Sequence, residues 1–444
     1  MNELRVVDQK EFAQRRKQLM RMMGKGALAI LPAAPIKFRN RDAEYPYRQD
    51  SDFYYLTGFA EAEAVAVLAP GREHGEYILF SQERDQTIEV WTGRRAGQDG
   101  AIEHFGADDA FPIGDIDDVL PGLLEHSDRV FYTMGCDPDF DGRVLGWLNH
   151  IRQHARGGAR TPGEFIALEH HLHDMRLYKS REEIKRMQRA AEVSVAAHKR
   201  AMQACRSGMH EYELEAEYLH EFRRNEMQPA YTTIVGAGKN ACVLHYTANS
   251  AQMADGELVL IDAGGEYDHY AADITRTFPV NGRFSPAQKE VYEVVLAAQA
   301  AAIEQVRPGN DWNAPHAAAV RVLTAGMIEL GILKGDLDEL IEAQTYRRFY
   351  MHRTGHWLGM DVHDVGDYKV GEQWRQLEPG MVLTVEPGLY IPARSKGVRK
   401  RYWNIGIRIE DDVLVTKTGH TVLTEGAPKS VADIEAWMAA GKAA

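Results

Sequence analysis

The sequence predicts a two-domain α/β protein: a smaller mixed α/β domain over residues 1–175 and a larger domain over residues 176–444. Three observations carry that expectation. A chain of 444 residues is too long for one ordinary core. Short apolar runs of strand length recur through the first 175 residues. Beyond Ser180, two long helical patterns precede strand-like runs, and the same order returns from Ser285.

Taken in order, Gln9–Met23 reads as a basic amphipathic helix, and Ala27–Leu31, Ala64–Leu68, Glu76–Phe80 and Val130–Met134 read as strands. The turn-rich stretch Gly157–Gly163 is expected to begin the connection to the second domain. Ser180, with Glu183 three places on, is a helix N-cap with a capping box, and Ile184, Met187, Ala190 and Ala191 share one face beyond it. Helices are expected at about 180–206 and 211–227, followed by the runs that hold Asp262 and Asp273. A second pair at about 286–306 and 312–330, opened by Ser285-Pro286 and stopped by Gly331, precedes the runs that hold Glu386 and Glu410. Two helix pairs outside and two strand groups inside would place all four carboxylates on a shared sheet.

Composition narrows the function. Hydrophobic residues at 44% and charged residues at 26% are those of an ordinary soluble protein. A net charge of −13 argues against nucleic acid or an anionic membrane as partner. No apolar run is long enough to span a bilayer, and the first residues lack a signal-peptide core. Three widely spaced cysteines fit a reducing compartment, so a cytoplasmic location is expected.

The chemistry concentrates in Met351–Val365, which packs His352, His356, His363, Asp361 and Asp364 among small and apolar residues. Strand parity places Asp262 on a face with Leu258 and Leu260, Glu386 with Thr384 and Val382, and Glu410 with Arg408. Singly, each has a plainer reading: a turn aspartate, a surface carboxylate, a salt bridge to Arg408, a hydrogen-bonded core histidine. Together, four carboxylates and one imidazole in apolar segments require a cation to offset the cost of burial. His352 and His356 have the i, i+4 spacing of a zinc helix, but Thr354-Gly355 between them is poor helix, so a strand or loop is expected. Five ligands so rich in oxygen suit two adjacent divalent ions, manganese above zinc, sharing a water whose pKa they lower.

The set Asp262, Asp273, His356, Glu386 and Glu410, with His352–Val365, Thr384–Gly388 and Gly406–Asp411, resembles the pita-bread metallopeptidases. Arg41–Gln49, Ser51–Phe59 and Met175–Ser180 resemble one group of them, the Xaa-Pro aminopeptidases (aminopeptidase P). The resemblance implies a C-terminal pita-bread domain with pseudo-two-fold helix and sheet halves, beside an N-terminal α/β domain that walls the site and mediates self-association as a homodimer or homotetramer. It implies removal of the N-terminal residue from peptides with proline second, by a water or hydroxide activated by two metal ions. Asp262 and Asp273 would hold one ion with Glu410, and His356 and Glu386 would complete the other, with Asp273 and Glu410 bridging. Glu386 would move the water's proton, His245 and His363 would contact substrate or developing charge, and His352 would help form the proline pocket. Arg408 would orient carboxylates, and Trp91 resembles a wall of the substrate site.

Two stretches depart from that pattern: Arg353-Thr354-Gly355, and the basic segment Pro392–Tyr402. The rivals are a prolidase restricted to dipeptides, a non-catalytic pita-bread binding module, and a creatinase-like amidinohydrolase, which would not need the ligands intact. His170-His171-Leu172-His173 reads as a solvated surface segment, Gly236–Lys239 as a turn, and Cys242 as a small buried side chain.

Overall fold

The computed structural model describes residues 9–442, which divide into two compact units, the first ending at Met175 and the second beginning at Arg176. No helix among the described residues is long and apolar enough to cross a membrane.

In the first unit a six-stranded mixed sheet runs in the order Asp109–Pro112, Tyr77–Ser81, Val65–Leu68, Ala27–Pro32, Arg129–Phe131, Glu164–Ile166. The central strands are apolar but for the buried Ser81, because helices cover them. Leu28, Ile30, Val67 and Phe80 meet Ile116, Leu120, Val144 and Trp147 from the helices Ile116–Glu125 and Pro138–Gln153. The stretch Gly157–Gly163 does not begin the inter-unit connection. The chain turns there, adds the edge strand Glu164–Ile166 by parallel pairing with Arg129–Phe131, and packs the helix Leu168–Leu177 before leaving the unit. His170–His173 lies on that helix with Leu172 buried, so the segment is half packed rather than solvated, and His173 faces Asp52.

The second unit follows one plan twice. Helices Arg181–Ala204 and Glu211–Arg224 precede the antiparallel strands Ile234–Ala237, Leu258–Asp262 and Thr275–Pro279. Helices Pro286–Ile303 and Ala314–Glu329 precede Val382–Val385, Gly388–Ile391, Ile405–Arg408 and Asp411–Val415. Ser180 and Ser285 each cap their helix with a complete capping box, worth about 1 kcal/mol apiece. One large core joins helices and strands through Tyr218, Phe222, Val235, Ile261, Tyr292, Val295, Leu389 and Ile407.

The expected shared sheet is instead a set of short ladders. Val382–Val385 pairs with Asp411–Val415 and Gly388–Ile391 pairs with Ile405–Arg408, in two separate sheets. Register explains the break. Val385 faces Asp411 and Gly388 faces Arg408, so Glu386-Pro387 and Ile409-Glu410 lie across from one another where neither ladder continues. Pro387 has no N–H for a ladder, and the interruption frees both glutamates from strict alternation. The first half joins the second through Thr277, whose Oγ1 donates to the Arg408 carbonyl and accepts from the Arg408 N–H.

Candidate metal centre

The four proposed carboxylate ligands stand at the ends of strands. Asp262 ends its strand opposite Thr275, and Asp273 precedes the return strand. Between them Gly264 approaches the other chain so closely that a Cβ would sit 1.7 Å from the Ala272 carbonyl oxygen. That turn brings both aspartates onto the Tyr231 hydroxyl, 2.6 Å from Asp262 Oδ1 and 2.5 Å from Asp273 Oδ1.

His356 arrives on an extended segment, not a helix. Thr384 N–H donates to the His356 carbonyl, Glu386 N–H to the Thr354 carbonyl, and Leu358 N–H to the Val382 carbonyl. Residues 354–358 therefore run against 382–386, which sets His356 beside Glu386. Gly355 is required for this approach, since a Cβ there would lie 2.0 Å from the Thr384 oxygen. His356 Nδ1 lies 2.9 Å from the Trp357 carbonyl, which accepts its proton and leaves Nε2 facing the carboxylates, 3.4 Å from Asp273 Oδ2 and 3.9 Å from Glu386 Oε1.

Ligand atoms of Asp273, His356 and Glu410 all lie within 4.8 Å of one another. Glu410 is buried and accepts from the Thr275 hydroxyl at 2.6 Å. Arg408 does not pair with Glu410. Its Nη2 donates to Asp262 Oδ2 at 2.6 Å, its Nε to Thr275 Oγ1, and its Nη1 to the Tyr390 hydroxyl. Tyr390 in turn lies 2.8 Å from His352 Nε2, while His352 Nδ1 lies 2.7 Å from the Arg353 carbonyl and 3.7 Å from Glu386 Oε2. One directed chain thus runs from the guanidinium through a phenol to an imidazole.

Electrostatics fit a cation here. Burial, then Asp273, Glu386 and Asp262, push Glu410 well above the ordinary carboxylate range. Burial raises Glu386 to about 7, with Asp273 and Asp262 adding to it against His356 and Arg408. Burial also raises Asp262, against the pull of Arg408. Burial would raise Asp273 too, but the contacts from His356 and Tyr231 outweigh it and hold Asp273 low. His356 rises to about 9, because the hydrogen bond and charge of Asp273 overcome burial. Burial, with Arg408, lowers His352 to about 3, and burial, with His356, lowers His363. So many carboxylates of raised pKa around one imidazole form a site that repels its own negative charge. Hard divalent cations match that donor set.

These groups open on a cavity of about 530 Å³ that His245, His352, His363 and Arg408 also line. The rings of His363 and His356 meet edge to face with centroids 4.4 Å apart. Trp91 lies on the helix Gln86–Thr92 of the first unit and is 86% exposed. Cys242 is half-buried rather than buried, with its thiol pushed up to about 11 by burial. Sequence reasoning missed Tyr231, Thr275, Thr384 and Tyr390. A lone tyrosine or threonine, in a strand or just before one, carries no spacing signal, and no sequence feature would have found them.

Comparison with known proteins adds the following. Residues 185–417 match the description of metallopeptidase family M24, and residues 12–132 that of the aminopeptidase P N-terminal domain. The Xaa-Pro aminopeptidase of Escherichia coli is 48% identical over 438 residues, covering 98% of this chain and 99% of that protein. The solved structure of Pseudomonas aeruginosa aminopeptidase PepP superposes with a TM-score of 0.98 at 61% identity, covering 99% of this chain and 100% of that one. A zinc-substituted E. coli aminopeptidase P in complex with product gives 0.95 at 47%, covering 98% and 99%.

Proposed function

We infer the activity from the family to which the chain belongs, the aminopeptidase P group of metallopeptidase family M24: the protein is a metal-dependent aminopeptidase with a pita-bread C-terminal domain. Its substrates, we propose, are peptides with proline in the second position, from which it releases the N-terminal residue. The convergence of Asp273, His356 and Glu410, with Asp262 and Glu386 on the same cavity, carries this reading.

Asp262, Asp273 and Glu410 would hold one divalent cation, and Asp273, His356, Glu386 and Glu410 the other. The cations, when bound, supply Lewis acidity for the scissile carbonyl and lower the pKa of the attacking water. Glu386 takes that water's proton at Oε2, the oxygen facing His352, and returns it to the leaving proline nitrogen. His363, its pKa lowered by desolvation and by the neighbouring His356, and His245 donate to the substrate carbonyl as charge develops. His352, neutral and anchored by Tyr390, forms one side of the proline pocket, and Arg408 orients Asp262.

The oxygen-rich donor set supports manganese over zinc. Exposed Val90 and Trp91 support self-association through the first unit, as a dimer or tetramer. The free cysteines Cys136, Cys205 and Cys242 support a cytoplasmic location.

A metal-stripped sample reloaded with manganese, zinc or cobalt and given Xaa-Pro peptides of two to five residues tests the activity. Turnover of the longer peptides, highest with manganese, is expected. Cleavage of dipeptides alone would instead make the protein a prolidase, and no turnover with any ion would end the peptidase reading.

Cation binding should also release protons. His356 at about 9 and Glu386 at about 7 hold protons near neutrality; the imidazole must give up its Nε2 proton to ligate, and cations beside Glu386 favour its ionised form. Affinity should therefore climb from pH 7 to pH 9 and level off above. Calorimetry at pH 7 in two buffers of different ionisation enthalpy should report release of at least about one proton per protein. No buffer dependence would contradict the ligand assignment.

A further inference from the structure

Arg353 is a charged side chain in the cavity wall without a carboxylate to neutralise it. It is exposed while lining the cavity, which places it at the mouth. Nη2 donates to Asn313 Oδ1 at 2.9 Å, and the guanidinium lies 5.0 Å from the centre of the Trp374 ring. Nε and Nη1 have no partner among the described residues. Lys369 Nζ lies 4.7 Å from the centre of the same Trp374 ring and is likewise in no ion pair among the described residues. His316, on the helix Ala314–Glu329 and lining a small neighbouring pocket with Arg353, adds no opposing charge and stays neutral, held down to about 4 by burial, then by Arg353 and Arg347.

Two contacts therefore fix a guanidinium whose remaining donors form the planar fork that matches a carboxylate. The direction of binding follows from charge. A substrate ammonium is repelled by Arg353 and drawn to Asp262, Asp273, Glu386 and Glu410, so the amino end points inward and the leaving side toward the mouth. The reach is consistent. Arg353 and Glu386 line the same cavity. An extended peptide advances about 3.3–3.6 Å per residue, so a carboxylate one or two residues past the cleaved bond lies within an arginine's length of the reacting carbonyl.

We propose that Arg353 forms a carboxylate-binding subsite on the leaving-group side of the cavity, filled by the free C-terminus of a short peptide or by an acidic side chain at the same place. The proposal rests on the aminopeptidase reading. It predicts that acidity beyond the proline is a positive determinant for this enzyme.

The test compares kcat/KM for Ala-Pro-Ala with its C-terminal amide, and for Ala-Pro-Glu amide with Ala-Pro-Gln amide. The metal-loaded wild type, R353M and R353K are measured. The wild type should prefer the charged member of at least one pair by about tenfold, the size of one charge-assisted contact near solvent, with the difference in KM. The preference should approach one in R353M, survive in part in R353K, and shrink with added salt in the wild type. A preference confined to the first pair identifies the chain terminus as the ligand; one confined to the second identifies the side chain. The readout is a ratio within each variant, so a general loss of folded protein cancels. Equal ratios in wild type and R353M, with all three amides turned over, overturn the proposal alone. Failure of the wild type to cleave any of the four peptides overturns the aminopeptidase reading and this proposal with it.

Discussion

Asp273→Asn is expected to cut kcat/KM by about a thousandfold or more while the fold persists, the loss of several kcal/mol that follows when a bridging anion no longer holds its cations. Asp273 stands at the centre of the site. One oxygen meets the Tyr231 hydroxyl at 2.5 Å and the other faces His356 Nε2 at 3.4 Å. Asparagine keeps the shape but offers one weak oxygen donor in place of two anionic ones, so it cannot bridge two cations. The same change has a second signature in metal-stripped protein. Burial alone lowers the pKa of His356, and Asp273 is what lifts it to about 9. In the variant that imidazole should titrate lower, with only Glu386 and the Trp357 carbonyl left to raise it, which histidine NMR reads directly. Activity within tenfold of wild type, with full metal content, would remove Asp273 from the proposed bridge.

How far the sequence foretold this arrangement depends on the kind of information each residue carries. The capped helices at Ser180 and Ser285 were readable because a hydroxyl and a Glu or Gln three places on are local features. The metal-ligand candidates were readable because a charge inside an apolar run is anomalous by itself. What joins them was not readable. Placing 354–358 against 382–386 depends on Gly355 clearing the Thr384 oxygen, a contact between residues about thirty positions apart. The single shared sheet was expected from strand order alone, whereas Glu386-Pro387 and Ile409-Glu410 interrupt both partners at one register. The edge strand Glu164–Ile166 was lost because three residues give too short a pattern to recognise. Arg408 shares strand parity with Glu410, yet it pairs with Asp262 from the other half of the domain. Parity gives a face, and only the fold supplies the partner.

Asp411→Ala should cost about 3–5 kcal/mol of stability, the largest expected effect outside the metal site, although Asp411 faces away from the cavity. Its carboxylate is fully buried and accepts from Arg276 Nη2 at 2.6 Å, Lys429 Nζ at 2.7 Å, Gln299 Nε2 at 2.9 Å and the Thr424 hydroxyl at 2.7 Å. Burial would raise its pKa, yet Arg276 and Lys429 hold it below the ordinary range. Removing the anion leaves Arg276, itself 0% exposed, as an uncompensated charge in the interior. The damage should also reach the site, because Arg276 Nη1 donates to the carbonyls of Thr275 and Glu410 and so ties both strands that carry the ligands. Denaturant unfolding of the C-terminal unit should show a lower midpoint, and thermal unfolding a fall of roughly 10 °C. Asp338→Ala is the control: its pairing with Arg321 is between mostly exposed side chains, 60% and 75%, and its loss should change stability by less than about 1 kcal/mol. If both substitutions cost the same small amount, the buried pair is not what binds the two halves of the domain.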